Sequence, residues 1–380
     1  MKNWEIIEFE KCLDKVPTSS KVPKKKFLES GKYPIVSQEE QFINGYWDND
    51  IDVLKVEKPV IVWGDHTKVV KLVDFDFVKG ADGVKVFLPK QSIDSAFFAY
   101  QLRSVKLKEL GYARHYRLLK KEKFVIPPLE EQKQIVSILD EAFEKIEQAK
   151  ANIEKSIQSA KELFQSKLNE IFAQKGNGWE KKTLGDVCEK TKNINWKDYT
   201  NEEFEYIDLS SVSRDTLLVT ETTMVNKENA PSRAKRIIQK GDVIFATTRP
   251  TLKRATIITS DLDGQICSTG FVVLRPKKNI NSDWIFFYLL TSTFMDRMES
   301  LQRGASYPAV TDSDVKDSTL SIPLTKELED SIVTKMNNLR RSSNELILQY
   351  LQKLSDLDEL KKSILQKAFA GELTNKTVEA

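Results

Sequence analysis

The sequence has few of the residues and motifs that build disulfide, metal or nucleotide sites. Its 380 residues include only three cysteines (Cys12, Cys188 and Cys267), far apart and without a CxxC pair, and only two histidines. These counts exclude a disulfide framework and a Cys/His zinc site, and they indicate a reducing, cytoplasmic setting. GxxxxGK[ST], HExxH and the glycine-rich and Asn/Asp-Pro-Pro-aromatic motifs of amino-methyltransferases are absent. We therefore expect no cofactor or metal in this chain.

Long apolar runs and a charge excess are also missing. No stretch approaches the roughly 18 apolar residues of a membrane span, and charges alternate with apolar residues at the start, which is not typical of a signal peptide. The 59 basic and 56 acidic side chains give a net charge of +3. Any contact with nucleic acid must therefore come from local basic clusters.

What the chain does have is an internal duplication with a period of about half its length. Trp4-Glu5 near the start recurs as Trp179-Glu180. An Ile-Pro segment followed by an Ile-Val pair occurs at 126–136 and again at 322–333. Ser-x-Leu-x-x-x-Phe-Ala closes both halves, at 166–173 and 363–370. The pattern indicates a globular part followed by a helical part, used twice.

The helical parts have the clearest pattern. Neither proline nor glycine occurs between Pro128 and Gly176, and apolar residues recur at spacings of mostly three and four. About 46 residues would form a rod of roughly 70 Å. A second such stretch runs over 324–370. Two rods of this length favour an antiparallel coiled coil.

The globular parts combine short β-like runs with a helix, which is predicted over 96–110 in the first part and 283–301 in the second. The predicted fold class is therefore α+β, with two α/β domains alternating with two long, paired helices and an internal pseudo-two-fold duplication. The predicted segments are 1–126, 127–176, 177–322 and 323–380, the last including a C-terminal tail.

Basic clusters lie in both globular parts, interleaved with aromatic and hydroxyl residues. Arginine can reach guanine, lysine neutralises phosphate, and hydroxyl groups serve either role. In the first part the DNA-binding candidates are Lys24, Lys25, Lys26, Ser37, Gln38, His66, Thr67, Arg114, His115, Tyr116 and Arg117. In the second they are Arg233, Lys235, Arg236, Thr247, Thr248, Arg249, Lys253, Arg254, Arg303 and Tyr307.

The motif order resembles the specificity subunit of a type I restriction–modification system. Trp-Glu and then Leu-Gly-Asp-Val (184–187) open a variable domain, and Ile-Pro-Pro-Leu-Glu-Glu-Gln (126–132) opens a helix that ends in Ser-x-Leu-x-x-x-Phe-Ala. The arrangement occurs twice and covers nearly the full chain. The Gly-Asp-Val-Ile-Phe run at 241–245 and the Gly-Asp-His-Thr turn at 64–67 are similar to elements of that family's target-recognition domains.

This resemblance implies two target-recognition domains, each reading one half of an asymmetric bipartite site in double-stranded DNA, held apart by antiparallel helical spacers. It implies no catalysis in this chain and no membrane. Two modification subunits would bring S-adenosylmethionine, and restriction subunits joined through them would bring ATP and Mg. The second helix departs from the pattern, because it lacks the Glu-Glu-Gln of 130–132 and places Ile332-Val333 two residues later. Partner docking there is expected to be weaker or differently spaced.

Three other classes stay open at this stage. A stand-alone sequence-specific DNA-binding protein would bind tightly without partners. A nuclease or methyltransferase fragment would bind a cofactor such as S-adenosylmethionine. Asp65 and His66 could imitate a catalytic dyad, but adjacent residues in a turn more often make local hydrogen bonds. A coiled-coil scaffold would show no salt-dependent retention of DNA.

Overall fold

The computed structural model describes residues 4–81, 83–109, 111, 113–174, 176–197, 199 and 201–374. The chain divides into two compact units. Unit 1 is Met1–Ile153 with Gln352–Ala380, and unit 2 is Glu154–Leu351. Each unit contains short strands, short helices and one half of each of two long helices. Residues 375–380 of the predicted tail lie outside the described part.

In the described residues of unit 1, eleven strands and two short α-helices precede the first long helix. In chain order the elements are β1 Glu5–Glu8, β2 Leu13–Asp14, β3 Lys21–Val22, β4 Tyr33–Val36, β5 Gly45–Trp47, β6 Val53–Leu54, β7 Val60–Gly64, β8 Val70–Val73, β9 Phe77–Gly80, β10 Val84–Pro89, α1 Ser95–Ser104, α2 Tyr116–Leu119, β11 Lys123–Ile126 and the long helix α3 Leu129–Phe172.

These strands form three sheets. β1 pairs antiparallel with β11, which leads directly into α3. A four-stranded antiparallel sheet has the order β2-β10-β7-β8, and a second sheet has the order β3-β9-β4-β5, with β6 also on β9. One hydrophobic core contains Phe98 of α1 and Phe87 of β10, a strand of the four-stranded antiparallel sheet. Another contains Val73 and Phe77, on β8 and β9. Alternate residues of β7 belong to the two cores, with Ile61 and Trp63 in the first and Val60 and Val62 in the second.

In the described residues, unit 2 repeats this order with two additional short α-helices. Its elements are β12 Trp179–Thr183, α4 Leu184–Val187, β13 Cys188–Glu189, β14 Glu203–Ile207, β15 Thr223–Asn226, β16 Ala234–Ile237, β17 Val243–Ala246, β18 Ala255–Ile257, β19 Ile266–Ser268, β20 Phe271–Pro276, α5 Ser282–Leu289, α6 Ser292–Leu301, α7 Asp312–Lys316, β21 Thr319–Pro323 and the long helix α8 Lys326–Phe369.

The sheets of the two units correspond strand by strand. β12 pairs with β21 as β1 pairs with β11, and β13-β20-β17-β18 repeats β2-β10-β7-β8 with every pair antiparallel. In the remaining sheet β14 lies parallel to β19 as β4 lies parallel to β9. β16 is antiparallel to β19 as β6 is to β9. β3 is an addition in unit 1. The duplication therefore extends from the sequence motifs to the strand pairing.

The long helices pair within each unit. Both have 44 residues. In unit 1, Lys150 contacts Asp358 and Glu147 accepts a 2.7 Å hydrogen bond from Lys361, so the two helix halves run antiparallel. In unit 2, Leu168 lies in the same core as the α8 residues Val333 and Met336.

The predicted fold class is confirmed, and the two long helices begin and end within a few residues of the predicted stretches. The helix predicted over 96–110 ends at Ser104, while Leu110 lies outside the described residues. The helix predicted over 283–301 is two helices, because Thr291 starts a new one by accepting a hydrogen bond from the Phe294 backbone N–H at 3.2 Å. The segment boundaries at 126, 176 and 322 stay a prediction, since each unit takes part of both long helices.

The two extra residues before Ile332-Val333 lie outside the second long helix, and the expectation about partner docking stays a prediction. Ile135 is the seventh residue of α3 and Ile332 the seventh of α8, so the extra residues precede the helix. The fourth residue of each helix, Gln132 or Glu329, is buried. Gln132 accepts the backbone N–H of Asp94 at 2.7 Å. Glu329 accepts the backbone N–H of Asn281 at 3.0 Å. Asp94 and Asn281 are the N-cap residues of α1 and α5, so each hydrogen bond fixes the start of a short helix packed in the same unit.

Candidate nucleic-acid interface

The loops that follow β7 and β17 occupy matching places in the two units. The Asp65 carbonyl, one residue after β7, accepts the backbone N–H of His115 at 2.9 Å. The Thr247 carbonyl, one residue after β17, accepts the backbone N–H of Val310 at 2.9 Å. Each loop is thereby joined to the segment that precedes α2 or α7. We call residues 37–39, 64–68 and 113–117 edge 1, and residues 247–249 and 303–309 edge 2.

Edge 1 brings together the predicted residues Ser37, Gln38, His66 and Thr67. The Gln38 carbonyl accepts the Thr67 hydroxyl at 2.6 Å, and the Gln38 side-chain oxygen accepts the His66 backbone N–H at 3.4 Å. Gly64 permits this close packing, because a Cβ there would lie 2.1 Å from the Thr67 hydroxyl oxygen. Thr67 is exposed and Gln38 half-buried, so a ligand could reach both side chains.

The basic candidates of unit 1 lie on two sides of these loops. Lys24, Lys25 and Lys26 form an exposed 3₁₀ turn, and Lys24 lies 3.3 Å from Glu39. Arg114 and Arg117 are exposed. Lys68, on edge 1, pairs with Glu109. Edge 1 therefore carries the exposed Arg114 and Arg117, and Lys24 contacts it through Glu39.

Three of the unit 1 candidates hold the loops in place. His115 is only 1% exposed, and its Nδ1 lies 3.2 Å from the Asp65 carbonyl oxygen. The Tyr116 backbone N–H donates to the Asp65 carboxylate at 2.7 Å, and burial raises the pKa of the Tyr116 phenol. Ser37 is buried, and its hydroxyl contacts Glu39. The buried Ser37 and His115 side chains thus support edge 1 from within, whereas Tyr116 is half-buried and is held through its backbone.

Edge 2 is built around a stacked arginine. The Arg249 guanidinium carbon lies 5.0 Å from the centre of the Tyr307 ring, and the Arg249 backbone N–H donates to the Pro308 carbonyl at 2.7 Å. Arg249 has a left-handed backbone conformation (φ 49°), an uncommon one for a residue with a side chain, which the hydrogen bond to Pro308 holds in place. Tyr307 is 71% exposed. The stacked pair therefore faces solvent.

Hydrogen bonds and an ion pair hold the other residues of edge 2 in place. Arg303 and Ala309 exchange backbone hydrogen bonds at 2.9 Å, and Arg303 lies 3.1 Å from Asp314. Hydrogen bonds from the backbone and hydroxyl of Thr311 lower the pKa of Asp314, and Arg303 adds to the effect. Thr248 is half-buried and bridges to Ala309, whereas Thr247 is buried and donates its hydroxyl to the Gly270 carbonyl at 2.9 Å.

Two predicted arginines of unit 2 are internal braces. Arg236, on β16, makes a two-point contact with Asp312 at the start of α7. Arg254 donates to the carbonyls of Leu209 and Val212. Of the other candidates, Lys253 is half-buried. Arg233 and Lys235 are exposed on or beside β16.

Sequence reasoning missed Lys71 and Asn44 of unit 1. Lys71 lies on β8 with only 3% of its surface exposed, and its ammonium contacts loop 37–44 beside edge 1. The available signal was its alternation with Val73, which places both side chains on one face of the strand. Among the described residues, no group of three or more His, Cys, Asp or Glu side chains could hold a metal ion. No helix in the same part of the chain is long and apolar enough to cross a membrane.

Comparison with known proteins matches nearly all of the chain to one family. A family model described as the type I restriction modification DNA specificity domain matches residues 1–158 and again 176–368. The duplication is thus present in the family match as well as in the fold.

Individual relatives match over shorter stretches. The chain is 30% identical over 159 residues to the Type I restriction enzyme HindI specificity subunit of Haemophilus influenzae, which covers 41% of this chain and 34% of the relative. It is 29% identical over 147 residues to the EcoDI specificity subunit of Escherichia coli, covering 39% and 32%. These matches span about a third of each relative's length.

Similarity of fold extends further. A solved structure described as "Structural basis underlying complex assembly and conformational transition of the type I R-M system" aligns with 97% of this chain and 98% of its own, with a TM-score of 0.72 and 18% identity. At this identity the likeness shows the fold alone.

Proposed function

Because the chain belongs to the family of type I restriction modification DNA specificity domains, we propose that it is the DNA sequence-recognition subunit of a type I restriction–modification complex. Edge 1 contacts one half of a bipartite DNA site and edge 2 the other. The observation that carries this proposal is that one loop arrangement occurs twice with different side chains. Gln38, His66 and Thr67 form it in unit 1, and Arg249 and Tyr307 form it in unit 2.

Different side chains on the same frame suit an asymmetric target. Two identical heads related by two-fold symmetry would require a palindromic site, whereas two diverged heads in one chain do not. Base edges are recognised by donors and acceptors without any metal. The exposed polar side chains of both edges supply such groups.

Different side chains suit contacts to bases and to phosphates. Stacking on Tyr307 limits the orientations of Arg249 and leaves most of its five N–H donors available for a guanine, the commonest specific arginine contact. The exposed Lys24, Lys25 and Lys26 have flexible point charges, which suit phosphates. Losing Arg249 should cost about 1–3 kcal/mol of discrimination at one base pair.

The subunit's partners supply the chemistry in this proposal. The chain recruits two modification subunits, which use S-adenosylmethionine, and through them restriction subunits that use ATP and Mg. It has no catalytic activity of its own, and it acts on DNA in the cytoplasm. The supporting observation is that the exposed polar groups of both edges suit base and phosphate contacts. Purified chain incubated with DNA and labelled S-adenosylmethionine should transfer no methyl group, and transfer by the chain alone would contradict this part.

Methylome sequencing tests the proposed function in cells. A strain with this chain and its modification subunits should show methylation at one two-part motif, with a gap of unspecified bases between the halves. Deleting only this chain should abolish methylation at that motif. Persistence of the motif after the deletion would refute the proposal.

A further inference from the structure

The loop between β4 and β5 is closed at its base by one asparagine. The Asn44 side-chain oxygen accepts the Ser37 backbone N–H at 2.9 Å, and the Asn44 backbone N–H donates to the Ile35 carbonyl at 2.9 Å. The Asn44 side-chain amide also donates to the Gln41 carbonyl at 3.1 Å. Residues 37–44 therefore form a closed loop that carries Gln38 at one end.

Lys71 enters this loop from the sheet below it. Its ammonium donates to the carbonyls of Gln41 and Phe42, the latter at 3.3 Å, and to the Asn44 side-chain oxygen at 3.3 Å. An ammonium has three N–H donors, and three oxygens surround this one. Burial lowers the pKa of Lys71 to about 8, so the group is still mostly charged at neutral pH. A buried charge persists only where its donors are satisfied, and the loop satisfies them.

The same loop is fixed to the rest of edge 1. The Thr67 hydroxyl donates to the Gln38 carbonyl at 2.6 Å, and a Cβ at Gly83 would lie 2.7 Å from the Gln38 side-chain oxygen. Gly83 also has φ +71°, which favours glycine. Because the Asn44 side chain holds the Ser37 backbone N–H, displacing residues 41–44 would shift Gln38 relative to His66 and Thr67.

Unit 2 has a different residue at the corresponding position. In unit 1, Lys71 pairs with Val62, the residue before Trp63, and Trp63 pairs with Val70. In unit 2 the matching strand register places Thr256 opposite Ile244. Thr256 is also buried, but its hydroxyl bonds only to the neighbouring Ile257 carbonyl, at 3.5 Å. The ammonium-centred loop belongs to unit 1.

We propose that Lys71 is a positioning residue for sequence recognition by unit 1, because its buried ammonium holds loop 37–44 so that edge 1 presents Gln38 to the DNA. The inference rests on the proposed function of the chain. Lys71 itself touches no DNA, so its loss changes which bases are accepted in one half-site. An exposed lysine that contacts phosphate acts differently, since its loss weakens binding to all sequences alike.

Methylome sequencing of cells with the full chain and its modification subunits tests this inference. Lys71→Met keeps the length of the side chain and removes its donors. We expect the discrimination at one or more positions of one half-site to fall on the order of tenfold, with the other half-site unchanged. Asn44→Ala, which removes one of the three acceptors, should relax the same half-site more weakly. This variant keeps the test decisive should Lys71→Met fail to fold.

Two control variants separate positioning from general damage. Thr256→Val alters the matching buried position of unit 2 and should leave both half-sites unchanged. Lys25→Met should leave the motif unchanged while lowering the salt slope of DNA binding by the assembled complex by about one. An unchanged motif in both Lys71→Met and Asn44→Ala, or relaxation of both half-sites together, would overturn the inference. Failure of the proposed function would instead appear in the wild type, as methylation independent of the chain.

Discussion

Unit 1 and unit 2 use the same arrangement where the globular part meets the long helices and different arrangements in their loops. Leu168 of α3 and Leu365 of α8 are both buried, each four residues before the final phenylalanine of its helix. Those phenylalanines pack on matching partners, since Phe172 lies 4.7 Å from Trp284 and Phe369 lies 5.5 Å from Phe97, centre to centre. The frame is repeated because each unit must seat one beginning and one end of the paired helices.

The same strand positions elsewhere are filled with different chemistry. In unit 2, Asp242 is buried and accepts two hydrogen bonds of 2.8 Å from Arg275. By strand register the corresponding residues of unit 1 are Val60 and Leu88, which belong to an apolar core. One sheet order thus tolerates either an ion pair or an apolar pair. What the frame requires is the pairing of the strands, and the side chains between them are free to diverge.

The largest expected effect comes from the shared frame. Leu168→Ala and Leu365→Ala should each destabilise their own unit by about 2–5 kcal/mol, because each leaves a cavity in a buried helix contact. Hydrogen exchange of the full chain should show the loss in unit 2 for Leu168→Ala and in unit 1 for Leu365→Ala. A large loss for one of the two variants and none for the other would show that the two helix contacts are not equivalent.

A smaller effect should distinguish the units. Asp242→Asn should destabilise unit 2 by about 2–3 kcal/mol, less than for a fully buried ion pair because Arg275 is partly exposed. The double variant Asp242→Val with Arg275→Leu copies unit 1 and should recover most of that loss. Thermal unfolding of the single and double variants measures both. If the double variant were less stable than Asp242→Asn, the ion pair would be part of the frame after all.

The smallest effects concern the fourth residue of each long helix. Gln132→Glu should cost about 1–3 kcal/mol, because Gln132 donates to the Ser92 and Pro127 carbonyls and a carboxylate cannot. Glu329→Gln should cost less than about 1 kcal/mol, because its Lys326 partner is half-exposed and can turn to water. Chemical denaturation measures the free energy of unfolding of both variants. A larger loss of stability for Glu329→Gln than for Gln132→Glu would contradict this prediction.

The long helices could be predicted from the sequence, but the roles of individual side chains at the two edges could not, because those roles depend on residues far apart in the chain. A helix of 44 residues without internal proline or glycine has a periodic signal along its whole length. The role of Arg236 depends on Asp312, 76 residues away, so no local pattern distinguishes this brace from a DNA contact. His115 likewise looked like part of a basic surface, and only its distance to Asp65 reveals it as buried support. The spacing of Lys71 and Val73 places both on one face of their strand, but it does not show that the oxygens around the ammonium belong to residues that lie 27 to 30 positions away.

If each unit reads its own half of the DNA site, variants of the two edges should change different halves. Methylomes would be compared for the wild type, Gln38→Ala at edge 1 and Arg249→Ala at edge 2, in cells with the modification subunits. Gln38→Ala should relax one half-site and Arg249→Ala the other, with the gap between the halves unchanged. Relaxation of the same half-site by both variants would contradict this prediction.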